Sequence, residues 1–327
     1  MTRRYTVGGI VVGLAAIWVA PYVLPPFLVS LLALVFISGL LATSVNLLAG
    51  EAGLVSLGHA AISAAAGYGV AWATLEGMSL WARLGIALAL VLITSLVFGL
   101  TTMHTNGIVY LMITLALGMV GYGLAYRLSR ITGGQNGLTR IKRPPLLEEW
   151  WVFYFFCALV FVLAVVFMWV LRRSPFGLTL RAIRDSESRS ASLGYSAVRV
   201  KLAATMISGM MAGTAGVLAV WNSEFISPSN TSFHRSAMAV VMVILGGTGT
   251  LLGPLVGAAV VVGFEHLLSS HFSRWPTLLG AVFIAVVIFM PQGILGHLRR
   301  SSTDDDASPP SQPSLRFGAD IANQEEP

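Results

Sequence analysis

Charge is what this chain has least of. Only 10% of its residues are Asp, Glu, Lys or Arg, against roughly 25% in soluble domains, so there is too little polar surface to coat the fold in water. Cysteine is nearly absent. Cys157 is the only one and lies inside an apolar run, which excludes an intrachain disulfide and argues against redox chemistry. Nothing matches G-x-x-x-x-G-K-[ST], so this chain does not cradle a nucleotide's phosphates itself. Glu265-His266 with His271 has its histidines five apart, off one helical face, and is not H-E-x-x-H. Ser56 and His59 stand three apart with no G-x-S-x-G around them and no acid to orient the histidine. No catalytic residue, no metal ligand and no bound cofactor is assigned.

What fills the 327 residues is hydrocarbon: 56% are hydrophobic and the mean hydropathy is +0.79. Several runs exceed the ~18 apolar residues that mark a membrane helix. The fold class is therefore all-α, a polytopic membrane protein with about 8–10 transmembrane helices in the lipid bilayer. Expected spans are Val7–Leu24 (retained rather than cleaved), Phe27–Ala49, Leu54–Leu75, Ala82–Met103, Gly107–Tyr126, Trp151–Leu171, Leu202–Trp221, a glycine-broken run Ser236–Val262, and Pro276–Gly296. The pI of 9.8 is not read as nucleic-acid binding, because the basic residues sit in short loops between spans.

One polar stretch interrupts the greasy sequence, Ser174–Lys201. It carries Arg181, Arg184, Arg189, Arg199 and Lys201 against Asp185 and Glu187. Short basic loops stay on the cytoplasmic side. Ser174 can N-cap a helix with Pro175 at its first position. Leu180 and Ile183 share one face, and Arg181–Asp185 and Asp185–Arg189 are i,i+4 pairs on another. Gly194 supplies a stop and Ser196 restarts a helix into the next span. The expectation is a compact knob on the inner face, with a plain topology-setting loop as the alternative.

Parity then bears on Ser236–Val262. With the N-terminus inside, Arg299 and Arg300 return inside only if that run dips and returns or crosses twice, and Gly246–Thr250 is the natural break. The basic cluster Arg127–Arg143 is expected outside. Residues 1–300 form the membrane domain. Residues 301–327, with Asp304–Asp306, Pro309, Pro310, Pro313 and almost nothing apolar, are expected to be a disordered cytoplasmic tail.

Ion-coupled transporters need ionisable groups at membrane depth. Here acids and bases fall at span ends. Glu51 is the nearest candidate and is read as a solvent-facing turn residue. Glycine is the abundant polar-backbone device. Gly50, Gly53 and Gly58 punctuate one stretch with Asn46, Ser56 and His59. Gly133, Gly134 and Gly137 punctuate another with Thr132 and Asn136, and Gly246, Gly247, Gly249 and Gly253 a third. For any single glycine helix packing is the simplest reading; together they suggest broken helices lining a path for an anionic group. The stretches 48–67 and 245–263 share a rough pattern, a hint of two related halves.

These residues carry a resemblance. Asn46-Leu47-Leu48-x-Gly50-x-x-Gly53-x-x-Ser56-Leu57-Gly58-His59, Thr132-Gly133-Gly134-x-Asn136-Gly137, Arg181-Ala182-Ile183-Arg184-Asp185-x-Glu187, Leu245-Gly246-Gly247-x-Gly249-Thr250-x-x-Gly253-Pro254 and Pro291-x-Gly293 resemble the LivM-type permease subunits of branched-chain amino-acid ABC importers. Ile62 and Ala191 depart from that pattern. The resemblance implies a type II ABC importer-like permease in the bacterial inner membrane. It would work with a second, LivH-like permease subunit, two cytosolic ATPase subunits that hold the ATP, and a periplasmic or lipid-anchored substrate-binding protein. Residues 174–201 would then be the coupling loop, with Arg181, Arg184, Asp185, Glu187 and Gly194 shaping it. Urea or short amides remain alternative cargoes, and an ion-coupled secondary transporter is the alternative class.

Overall fold

The computed structural model describes residues 18–268, 275–290 and 293–295. Most of the expected first span and all of the expected tail lie outside these. Among the described residues the architecture is helical, and the only β pairing is an isolated bridge between Leu138 and Ile226. The helices are α1 (Pro26–Asn46), which runs on through a π-helical turn at Leu47–Ala52, α2 (His59–Leu75), α3 (Leu80–Thr102), α4 (Gly107–Arg127), α5 (Trp150–Arg173), α6 (Pro175–Asp185), α7 (Glu187–Ser192), α8 (Ala197–Ser223), α9 (Phe233–Gly246), α10 (Gly253–Gly263) and α11 (Trp275–Phe289). Five stretches are long and apolar enough to cross a membrane alone: Pro26–Ala52, α3, α4, α5 and α8.

Burial sorts them. The apolar windows of Pro26–Ala52 and α8 are each 61% buried inside the fold, whereas those of α3, α4 and α5 are 22–28% buried. The first two are central. The other three expose flanks of Leu, Val, Ile and Met, as helices facing lipid do. Contact at the centre depends on missing side chains. A Cβ at Gly213 would strike Val91 of α3, one at Gly209 would strike Ser95, and one at Gly216 would strike the Ser63 carbonyl of α2.

Two expected spans change shape. Leu54–Leu75 is helical only from His59, because Gly53, at φ +69°, turns the chain back and residues 53–58 run non-helical. Ser236–Val262 is broken, as its glycines imply. α9 stops at Gly246, and α10 restarts at Gly253 and folds back so closely that a Cβ on Gly246 would meet the Gly253 carbonyl. The break and Gly293 lie together, since a Cβ on Gly293 would meet Gly247. The chain after α11 thus returns to the end of the fold that carries α6 and α7. The cluster Arg127–Arg143 lies at the other end, where Arg143 donates to the Trp221 and Asn222 carbonyls at the far terminus of α8.

Candidate functional site

The knob begins as its sequence requires. Ser174 Oγ accepts from the Gly177 amide at 3.3 Å and Pro175 occupies the first turn of α6, satisfying one of the amides a helix start leaves orphaned. Leu180 and Ile183 are buried. A break not foreseen follows at Ser186, which is extended and whose hydroxyl caps α7 through the Arg189 amide. Gly194 (φ +87°) turns the chain, and α8 starts after Ser196.

The arginines of α6 point into the fold rather than along its surface. Arg181 Nη1 lies 3.0 Å from Glu51 Oε2, and Arg172 Nε lies 2.7 Å from Glu51 Oε1. Glu51 is 3% exposed, so it is a buried carboxylate with one guanidinium on each oxygen and not a solvent-facing turn residue. A bare carboxylate is too costly to bury, and two cations repay that cost. The i,i+4 pairs expected on the knob do not form, because Arg181 is spent on Glu51 and Asp185 pairs with neighbouring Arg184. Arg184 Nη1 also donates to the Gly50 carbonyl at 2.8 Å, and its stem fills the space a Cβ on Gly53 would need, 2.7 Å away.

The same π turn is tied to the glycine break of α9 and α10. The Asn46 side chain donates through Nδ2 to the Thr250 carbonyl (2.9 Å) and accepts the Gly249 amide on Oδ1 (2.8 Å). One amide thus satisfies both a donor and an acceptor of an irregular segment that has no helix of its own to satisfy them. The backbones nearly touch: a Cβ on Gly50 would lie 2.7 Å from Gly249 Cα. α6, the turn Leu47–Ala52 and the break Gly247–Leu252 therefore form one connected unit at the knob end of the fold.

A second clasp holds α7. Lys201, buried near the start of α8, donates through Nζ to Glu187 Oε2 (2.8 Å) and to Asn106 Oδ1 (2.6 Å), and Asn106 Nδ2 donates to Glu187 Oε2 (2.7 Å). Glu187 thus faces inward. Its carboxyl is held below the usual carboxylate range, chiefly by the Lys201 hydrogen bond and further by Asn106, with burial opposing.

Ser56 and His59 do meet. His59 Nδ1 lies 2.9 Å from Ser56 Oγ and Nε2 lies 2.7 Å from Ser208 Oγ, and Ser208 donates to the Ser44 carbonyl at 2.6 Å. Gly58, just before α2, packs on Phe98 and the Thr114 carbonyl. The Thr132–Gly137 cluster sits apart from all this. Thr132 caps the end of α4 through the Ala125 carbonyl, Gly133 and Gly134 adopt positive φ, Asn136 is exposed, and Gly137 abuts Ile226 beside the bridge. The first and third glycine clusters converge, and the second belongs to the opposite end. Sequence reasoning missed Glu51, Arg172, Lys201, Asn106 and Ser208. Glu51 alone carried a signal: it is the only acid among the first 75 residues, and a lone charge in an apolar stretch needs a partner.

A family model described as "Branched-chain amino acid transport system / permease component" matches residues 27–291. The chain belongs to that permease family. It is 28% identical over 314 residues to the high-affinity branched-chain amino acid transport system permease protein LivM of Escherichia coli strain K12, covering 88% of this chain and 73% of that one. It is also 28% identical to the Salmonella typhimurium LivM over 80% of this chain and 68% of that one. The autoinducer 2 import system permease protein LsrC of Photorhabdus laumondii is 27% identical over 66% of this chain and 69% of its own. No solved structure matches. These relatives are permease components, and this chain is a multi-pass membrane permease.

Proposed function

We propose that the chain is the membrane-spanning permease subunit of an ABC importer that moves branched-chain or related amino acids into the cytoplasm. Separate ATPase subunits would dock on residues 174–201 and hold the ATP, and this chain would bind no cofactor. Its companions are a LivH-like second permease and a periplasmic or lipid-anchored binding protein, in a bacterial inner membrane with both termini cytoplasmic.

One observation carries this reading: α6 is bonded to the irregular segments rather than lying loose. Force applied to α6 reaches Glu51 through Arg181 and Gly50 through Arg184, and from that turn passes through Asn46 to Thr250 and Gly249. A loop that only sets topology needs none of these bonds. Segments that lack i→i−4 hydrogen bonds are the ones able to change conformation without unravelling a span, which suits an element alternating between inward- and outward-open states.

The test is reconstitution of the chain with its ATPases and companion permease in proteoliposomes, with the binding protein supplied. ATP-driven uptake of labelled leucine that stops without the ATPases supports the proposal. Ion-driven uptake by the chain alone overturns it.

A further inference from the structure

Every ion pair described so far serves the fold. Arg235, exposed near the start of α9, and the half-buried Glu265 do not: neither has an ion-pair or side-chain hydrogen-bond partner among the described residues. Both line one open pocket. Its walls come from α1, α2, α8 and α9, with Glu265 reaching in from the turn that ends α10.

The two charges stand at similar height. α9 and α10 run antiparallel and touch where the Met242 carbonyl would meet a Cβ on Gly257. Seven residues back along α9 is Arg235, and eight residues onward from Gly257 is Glu265. At about 1.5 Å per residue both lie roughly 10–12 Å from the crossing, on the side away from α6. The rest of the lining is mostly apolar, alanines of α2 and α8 with Met238 and Met242, and includes the polar Ser38, Ser63, Asn230 and His234. A concave, mostly apolar site with a few convergent polar groups is the ordinary form of a small-molecule site.

We propose that this pocket binds the free cargo itself, as a zwitterionic α-amino acid with an aliphatic side chain. The Arg235 guanidinium takes the carboxylate, a planar fork suited to it. The Glu265 carboxylate takes the ammonium, and the alanine–methionine lining takes the side chain. A zwitterion answers both charges in one molecule and adds no net charge to the pocket, whereas urea or a simple amide answers neither charge. The inference rests on the importer reading above and adds a recognition site within the membrane domain, separate from any binding protein.

The test uses the assembled complex with its companion permease and ATPases but without the binding protein, and measures equilibrium binding of labelled L-leucine. Each of Arg235→Gln and Glu265→Gln is expected to weaken binding roughly tenfold to a hundredfold, the effect of one charged hydrogen bond. Glu265→Asp keeps the charge and should bind within a few fold of wild type. Glu265→Gln should also bind 4-methylpentanoate, which lacks the ammonium, better than wild type does, a gain that a merely structural residue would not give. Unchanged leucine binding in both Gln variants, no binding by the wild-type complex, or equal loss in Glu265→Asp and Glu265→Gln overturns the proposal. If ATP-driven leucine uptake by the wild type persists alongside such a result, only the pocket is wrong. If wild-type uptake is absent, the importer reading fails first.

Discussion

Glu51 and Arg181 are 130 positions apart in sequence and 3.0 Å apart in space. Arg172 closes on the other carboxylate oxygen. The asymmetry of this triad makes a prediction. Glu51→Gln removes the buried charge and leaves two guanidinium groups that still reach solvent, at 26% and 30% exposure. Replacing both arginines by Met leaves the carboxylate buried and unpaired. Breaking a buried pair from one side costs about 3–5 kcal/mol, so the double Met variant should melt well below wild type in detergent, and Glu51→Gln should lose less. If the triad carries motion, Glu51→Gln also lowers leucine uptake per ATP hydrolysed. Equal melting of the two variants would refute the account of the triad.

Asn46 is argued from its two arms. Asn46→Asp keeps the acceptor for the Gly249 amide but sets a second oxygen against the Thr250 carbonyl, and Asn46→Leu loses both bonds. Each orphaned backbone group costs about 1–3 kcal/mol. Both variants should lower the melting temperature, Asn46→Leu by the sum of two such losses. Hydrogen exchange at Gly249 should accelerate in Asn46→Leu more than in Asn46→Asp. Unaltered exchange would show that Asn46 does not hold the break.

Much of this was legible in the sequence, and the remainder fails for identifiable reasons. Helix ends marked by local chemistry came out as expected: Ser174–Pro175 starts α6, Gly107 starts α4, and the glycines at 246–250 break the run. What local pattern cannot supply is a partner far along the chain. Glu51 resembles a turn residue until Arg172 and Arg181 fold over it, and Asn46 resembles any helix residue until Thr250 arrives. The Ser186 break was hidden because a serine inside a helical pattern caps only when its neighbours let it. The two stretches with similar glycine spacing meet at Gly50 and Gly249, whereas the Thr132–Gly137 cluster, alike in composition, joins the opposite end.

Two glycines should respond to substitution for different reasons. Gly194 has open space around its missing Cβ, but its φ of +87° disfavours any other residue, at about 1–2 kcal/mol. Gly194→Val should therefore leave the protein in the membrane and abolish or strongly reduce uptake by misdirecting α7 against its docking partner. Gly50 has an ordinary helical conformation but no room, with Gly249 Cα 2.7 Å from the added carbon. Gly50→Ala should push the turn off the break and weaken the fold itself. Normal uptake with Gly194→Val, or wild-type melting with Gly50→Ala, would contradict these assignments.

The Glu187 clasp gives the knob a pH dependence. Its folded-state carboxyl is depressed by Lys201, so the clasp contributes at every pH above the ordinary carboxylate value. That contribution falls away as pH drops through the lower, folded-state value. Neutral and mildly acidic solution should leave α7 in place, and stronger acid should release it. Proteolysis or thiol labelling of a cysteine placed at Ser188 should rise only at that acid end. In Glu187→Gln the same accessibility should already be high at neutral pH. Labelling independent of pH in both proteins would remove the clasp from the account.

His59 is set by hydroxyl bookkeeping. Ser208 has one proton and gives it to the Ser44 carbonyl, so toward His59 it accepts, and Nε2 must carry the ring hydrogen. Nδ1 then accepts from Ser56, whose oxygen receives the Gly58 amide. The chain of donors runs in one direction from Gly58 to Ser44 and pins the start of α2 between α1 and α8. Ser208→Ala leaves the His59 N–H without an acceptor in a buried site, at about 1–3 kcal/mol, and also removes the bond to the Ser44 carbonyl. It should therefore destabilise more than Ser56→Ala, which strands an acceptor nitrogen and one amide beside the loop 53–58. The ¹⁵N shifts of His59 should report the Nε2–H form in the wild type. Finding Nδ1–H there, or equal melting of the two serine variants, would reverse the direction of the chain and the reason for it.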